Sequence, residues 1–195
     1  EFRRVLFRSD ILAPADQDRA FAHLVRAVNA RNDHLSTGFH STEPLMTVLT
    51  ERGRSDLAYK ILMNDTFPSW GYTISNGATT IWERWDGFVK GRGFQDPGMN
   101  SFNHWALGSV GQWMMETVLG IQPIGVGWSK FRIVAKPGGG LDFAKGHYDS
   151  PVGRIGVEWR FVGDEWNLVV NIPANSEAEI VLPNGKHAVK SGTHT

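Results

Sequence analysis

The 195-residue chain is 41% hydrophobic, enough for one large domain or two small ones with real cores. Twenty basic side chains against twenty acidic ones cancel, which excludes a broad electrostatic attraction to nucleic acid or an anionic membrane and points to an uncharged partner. The absence of cysteine removes disulfide frameworks and thiolate metal sites, no apolar run approaches the roughly 20 residues of a bilayer span, and the start lacks the layout of a signal peptide, so the compartment stays open.

The opening Glu1-Phe2-Arg3-Arg4-Val5-Leu6-Phe7-Arg8-Ser9 fits neither a helical nor a strand period. Glu-Phe is what a common cloning site encodes, so residues 1–9 are read as a cloning or assembly scar and left out of the fold argument. Asp16 and Asp18 then introduce Phe21, Leu24, Val25 and Val28, the stripe of an amphipathic helix that ends near Asn32. Thr42 can cap a second helix over 43–52, with Pro44 in its first turn and Leu45, Met46, Val48 and Leu49 on its apolar face. Gly53 stops it, and Ser55 caps a third helix bearing Leu57, Ala58, Ile61 and Leu62, so the two form an antiparallel hairpin.

From Asn64 to Ser101 no regular period holds. A gap of that length in a folded domain is functional or disordered, and seven aromatics between Phe67 and Phe94 argue against disorder. At its centre stands Gly77-Ala78-Thr79-Thr80-Ile81-Trp82-Glu83-Arg84-Trp85-Asp86, a carboxylate between two tryptophans. The clearest helical pattern follows over 101–119, with Ser101 as cap, Phe102, Trp105, Ala106, Val110, Trp113, Met114 and Leu119 as stripe, and Gly120 and Pro123 beyond the end. Gly108 and Gly111 inside it suggest a face that a neighbouring backbone approaches closely.

From about Gly125 the period changes to two. Phe131, Ile133 and Ala135 alternate with polar residues, as do Ile155, Val157, Trp159 and Phe161, then Trp166, Leu168, Val170 and Ile172. Turns at 137–140, 163–164 and 183–185 space these strands as in an antiparallel β-sandwich over 129–182, with Ile155, Val157, Trp159, Leu168 and Val170 inward and Trp128, Trp159 and Trp166 all in the sandwich. The reading is therefore a multi-domain chain, α then β, with the border near 122–128. Both ends look cut: the helices are too few to close a core, and the strand pattern runs into Lys190-Ser191-Gly192-Thr193 without a closing edge strand.

The run Trp70-Gly71-Tyr72, the string Gly77 to Gly87, and Ser101-Phe102-Asn103-His104 together resemble the last part of the catalytic domain of the bacterial α-L-rhamnosidases. Thr37-Gly38-Phe39 and Gly53-Arg54-Ser55-Asp56-Leu57-Ala58 fit the same family, so the resemblance covers most of residues 17–160. It implies a partial (α/α)6 toroid at 10–124 followed by a jelly-roll-like β-sandwich at 125–195. The reaction it implies is hydrolysis of terminal rhamnose from a glycoside or polysaccharide with inversion, which makes the whole protein a glycosidase. Glu83 takes the place of the carboxylate that activates water, and the family's acid lies in a more N-terminal motif that this chain lacks. The fragment alone should therefore be inactive.

Each assignment has a plainer alternative. Glu83 could form a surface ion pair with Arg84. Asp86, the reserve carboxylate, could raise the pKa of Glu83 or cap the next turn, the second being favoured by aspartate's turn chemistry. His104, implied to bind sugar, could be a core histidine satisfied by a backbone carbonyl. Trp70, Trp82 and Trp85 could be platforms for a deoxysugar or ordinary packing. The expectation is that Glu83 and His104 face one pocket with at least one of those tryptophans on its wall. The seven histidines are scattered and no acidic loop has calcium spacing, so no metal or cofactor is expected. A non-catalytic carbohydrate-binding module and a toroid glycosidase for another sugar remain competing functions.

Overall fold

The computed structural model describes residues 13–195, apart from the side chains of Pro14, Phe39, His40 and Glu43. The stretch read as a scar lies outside the described residues. The chain divides into two units between Val110 and Gly111, inside the helical run that the periodicity assigns to the α part.

Among the described residues the first element is α1 (Pro14–Asn29), which carries Asp16 in its first turn and buries Val28, while the rest of its stripe is half-exposed. Helices α2 (Phe39–Glu51) and α3 (Ser55–Met63) form the expected hairpin. Gly53 at φ 77 turns the chain, and Arg54 N–H returns to Leu49 O at 2.7 Å, closing the end of α2. Between them Leu45, Met46, Val48, Leu49, Leu57, Ala58, Tyr59 and Ile61 are buried, and burial pushes the Tyr59 phenol up to about 12. One expectation fails here. Thr42 is not a cap: α2 begins earlier, from an extended Gly38, and Thr42 lies buried within it, donating its hydroxyl to Gly38 O. Pro44 is therefore inside the helix, where it removes one backbone bond.

The aperiodic segment holds two elements that no period announced. Helix α4 (Trp70–Ser75) starts at Ser69, whose hydroxyl accepts from Tyr72 N–H at 2.9 Å as an N-cap does. Gly71 is needed there because a Cβ would meet Asn64 O at 2.5 Å. Strands β1 (Phe88–Val89) and β2 (Gly93–Phe94) make a small antiparallel hairpin.

The helix expected over 101–119 is much shorter. A 3-10 turn begins only at Leu107, passes into α-helix at Val110–Trp113, and widens to a π turn at Met114–Val118. Residues 101–104 cannot be helical because their backbone groups are engaged elsewhere: Ser101 O accepts from Glu83 N–H, and His104 N–H donates to Ile81 O. The apolar stripe matched because Ala106, Val110 and Trp113 do pack inward, but Trp105, counted with them, is 82% exposed. Gly111 does not mark a close approach, since a Cβ there would meet nothing within 4 Å.

The second unit is one six-stranded sheet: β3 (Ile121–Pro123), β4 (Lys130–Ile133), β5 (Phe143–Ser150), β6 (Gly153–Val162), β7 (Glu165–Leu182) and β8 (Gly185–His194). The alternation places β6 and β7 in register, Trp159 facing Leu168 and Val157 facing Val170. Ile155, Val157, Trp159, Val170 and Ile172 are buried as expected; Leu168 is half-buried and Phe161 exposed. Two departures follow from the length of β7. Its first half pairs with β6, its second half pairs with β4 in parallel, and β8 runs antiparallel beside both, with a register shift between Ile172 and Glu177. Pairing is thus not wholly antiparallel, and the residues thought to trail off after Lys190 belong to β8, the missing edge strand. Among the described residues no helix is long and apolar enough to cross a membrane.

Candidate active site

Glu83 is held by the segment that carries His104. Its backbone N–H donates to Ser101 O at 2.8 Å, and its carboxylate accepts from Ser101 N–H at 2.8 Å, so one residue grips it at both ends. Three positions further on, His104 N–H donates to Ile81 O at 2.9 Å, and the Thr80 hydroxyl bonds to Phe102 O. The two motifs are joined by this short pairing, although residues 88–100 lie between them. Glu83 is half-buried.

The simple ion pair between Glu83 and Arg84 does not form. Arg84 grips Asp86 with two bonds of 3.0 Å and reaches Asp96 at 2.7 Å. The Asp86 carboxylate, helped by Asp96, holds the guanidinium above its ordinary value against the opposing effect of burial. Both oxygens of Asp86 thus join a charge-assisted fork with Arg84, and its carboxylate makes no hydrogen bond to Glu83 or to a turn amide among the described residues.

His104 is half-buried, and its Nδ1 accepts from Ala106 N–H at 3.2 Å. That bond places the proton of a neutral ring on Nε2, which makes Nε2 a donor suited to a hydroxyl oxygen. The plainer reading, a ring nitrogen donating to a carbonyl, does not describe Nδ1. The adjacent Trp105 lies nearly parallel to the imidazole, at 11°.

The three tryptophans separate. Trp70 and Trp82 are 7% and 6% exposed, so neither offers a sugar a face, and they are corrected to packing residues. Trp70 donates to Leu107 O at 3.0 Å and meets Trp85 edge-on, while Trp82 meets Phe102 in the same way. Phe102 in turn touches Phe94, and Phe94 touches Phe88, giving an aromatic chain through the segment. Trp85 is half-buried and anchored by its Nε1–H to Thr37 O at 2.9 Å, so it alone of the three retains partial exposure. Sequence reasoning missed Ser101 as the ligand of Glu83, and also Asp96 and Asn100. Their signal is the turn chemistry of Asp96-Pro97-Gly98 and Asn100-Ser101, which a helix cap at Ser101 hides.

Residues 6–118 match the family model described as the bacterial alpha-L-rhamnosidase 6 hairpin glycosidase domain, and residues 120–195 match that of the bacterial alpha-L-rhamnosidase C-terminal domain. A curated α-L-rhamnosidase of Streptomyces avermitilis is 43% identical over 174 residues, and one of Formosa agariphila is 40% identical over 174; both alignments take 89% of this chain. They cover only 16% and 19% of those relatives, so the chain spans less than a fifth of their length. Among solved structures, the Streptomyces avermitilis α-L-rhamnosidase complexed with L-rhamnose matches 98% of this chain and 20% of its own, with a TM-score of 0.91 at 36% identity. The native enzyme of Aspergillus terreus matches equally well, with 23% of its chain covered.

Proposed function

The chain belongs to the bacterial α-L-rhamnosidase family, and from that premise we propose that it is the C-terminal part of a longer enzyme that hydrolyses terminal α-L-rhamnosides with inversion. In this reading residues 10–124 close an (α/α)6 toroid, residues 125–195 are the β-sandwich that follows it, and Glu83 is the general base. The observation that carries it is the grip of Ser101 on Glu83, which fixes a half-buried carboxylate beside the motif that bears His104.

The chemistry divides between two carboxyl groups. Glu83 takes a proton from a water molecule as the water oxygen bonds to the anomeric carbon. The bond from that carbon to the aglycone oxygen breaks, and an acid outside this chain gives its proton to the leaving oxygen. Such pairs stand about 6.5–9.5 Å apart to admit the water. His104 shares the sugar pocket and donates Nε2–H to a sugar hydroxyl, while Trp85 supplies apolar surface at its wall. A rhamnose-containing glycoside or polysaccharide is the substrate.

Glu83→Gln in the complete enzyme tests this. Turnover of an aryl α-L-rhamnoside should vanish while binding of L-rhamnose persists, and early proton spectra of the parent should show the β-anomer first. Retained turnover would remove Glu83 from the mechanism, and sugar binding without turnover by the unmodified enzyme would favour a carbohydrate-binding module. Residues 1–195 alone should not hydrolyse the aryl rhamnoside, because a base without its acid cannot complete a concerted displacement.

A further inference from the structure

The geometry points to Asn100 as a positioning residue for Glu83, an inference that rests on the reading of Glu83 as general base. Asn100 stands immediately before the residue that holds the Glu83 carboxylate. Its Nδ2 donates to Gly87 O at 2.8 Å and to Gln95 O, the carbonyls that open and close the β1–β2 hairpin. Gln95 N–H itself donates to Gly87 O at 3.0 Å, so a single amide bridges both ends of that hairpin.

The other end of the amide reveals how tightly it is placed. Among the described residues Asn100 Oδ1 is buried without a hydrogen-bond partner, and it lies so near Gly87 that a Cβ there would approach within 2.8 Å. An orphaned buried acceptor is unfavourable and calls for a reason. Here the two bonds from Nδ2 fix the amide, and the oxygen goes where it must. An aspartate of the same shape would set an oxygen in the place of Nδ2, against both carbonyls, and could hold neither.

The consequence is carried one residue along the chain. Ser101 N–H donates to Glu83 Oε2 at 2.8 Å and Ser101 O accepts from Glu83 N–H at 2.8 Å, so the place of the carboxylate is the place of Ser101. Releasing Asn100 from Gly87 and Gln95 lets Ser101 shift against Glu83. A displacement of about 1 Å in a reacting group can cost on the order of 100-fold in rate. Asn100 touches no reacting atom, and its effect passes through Glu83.

The test uses the complete enzyme that contains this segment. Asn100→Asp should lower kcat on an aryl α-L-rhamnoside by about 10- to 100-fold and change KM by less than about threefold, because ground-state sugar contacts lie elsewhere. Loss of folded enzyme would also lower kcat, so the deciding readout is azide rescue of Glu83→Ala. Azide forms its own bond to the anomeric carbon as the aglycone leaves with the acid's proton, and it needs no general base. If Asn100 acts through Glu83, adding Asn100→Asp to Glu83→Ala leaves the azide-rescued rate unchanged. An equal fall in the rescued rate overturns the inference, as does a normal kcat for Asn100→Asp beside a dead Glu83→Gln. Absence of azide rescue, or an active Glu83→Gln, removes the general-base reading itself. Should Asn100→Asp fail to fold, Gly87→Ala displaces the same amide from the opposite side and is read by the same criteria; failure of both to fold assigns Asn100 to folding and overturns the inference.

Discussion

The β6–β7 hairpin and the segment from Asn64 to Ala106 are held by different kinds of interaction. In the hairpin one ladder repeats from Gly156 opposite Asn171 to Val162 opposite Glu165, and alternate side chains are buried on one face. In the segment, outside the short α4 and the two-residue β1–β2 pair, the ties are single: an indole reaches Leu107 O, a second indole reaches Thr37 O, a hydroxyl caps α4, and an amide ties Gly87 to Gln95. A repeating ladder spreads its stability over many residues, so a substitution there costs according to the area it uncovers. A set of single bonds places particular groups, so a substitution there can be small in stability and large in function.

On the proposed reading of Glu83 as the general base, the largest expected effect breaks the second region at that residue. Glu83→Gln preserves the shape of the side chain and leaves an oxygen to accept from Ser101 N–H, but it cannot take a proton from water. Removing a general base costs roughly 10²–10⁴ in rate. Steady-state kinetics of the complete enzyme, beside thermal melts that should barely move, check both halves of the expectation.

The first region breaks through its core. Trp159 is fully buried and donates Nε1–H to Val118 O at 2.6 Å. Trp159→Ala opens a large cavity and orphans that carbonyl, for a loss of about 3–5 kcal/mol. Phe161→Ala, two residues along but exposed on the same strand, should cost no more than about 1 kcal/mol, since little area is uncovered. Urea unfolding followed by circular dichroism measures the two, and equal losses would refute the ladder as the source of stability.

These two regions also differ in what their residues disclose before folding. The hairpin was legible because a strand's two-residue period is a property of the sequence itself, and Ile155, Val157 and Val170 had nowhere to go but inward. The α2–α3 hairpin was legible for the same kind of reason. Residues 101–104 were not. Ser101 opens a convincing helical stripe, yet its N–H and C=O are taken by a glutamate 18 positions earlier, a competition that no local pattern can reveal. Glu83 and His104 are linked in sequence only through the family resemblance; the pairing of their two segments is a tertiary fact. Trp70 and Trp82 misled in the opposite direction, because an aromatic near a carboxylate looks alike in sequence whether it faces a sugar or a core. The parallel β4–β7 pair was invisible because the alternation of β7 does not say which neighbour each half will find.

Alkaline pH should act on the helical unit and spare the ladder. The Tyr59 phenol rises to about 12 through burial, whereas in the unfolded chain it ionises near 10. Between those values the folded state keeps a proton that the unfolded state has released, so stability falls as pH rises from about 10 and is unaffected well below it. The full difference is on the order of 3 kcal/mol. Tyr59→Phe has no such proton to lose. Its unfolding free energy, measured from pH 8 to 12 beside the parent, should decline less steeply; parallel curves would show that Tyr59 is not the group that titrates.

The smallest effect concerns a glycine whose helical conformation needs no glycine. Gly120 must be glycine, for it sits at φ 80 and a Cβ would come within 2.2 Å of Ala135 N. Gly111 was expected to be similarly constrained, but it lies in the α-helical turn Val110–Trp113 with open space where its Cβ would stand. Alanine there loses less backbone entropy on folding and meets no neighbour. Gly111→Ala should therefore stabilise the chain by about 0.5–1 kcal/mol. A modest rise in melting temperature confirms an unconstrained helical position. A fall would mean that something approaches Gly111 in the complete enzyme, and would restore the reading of that glycine as a place of close packing.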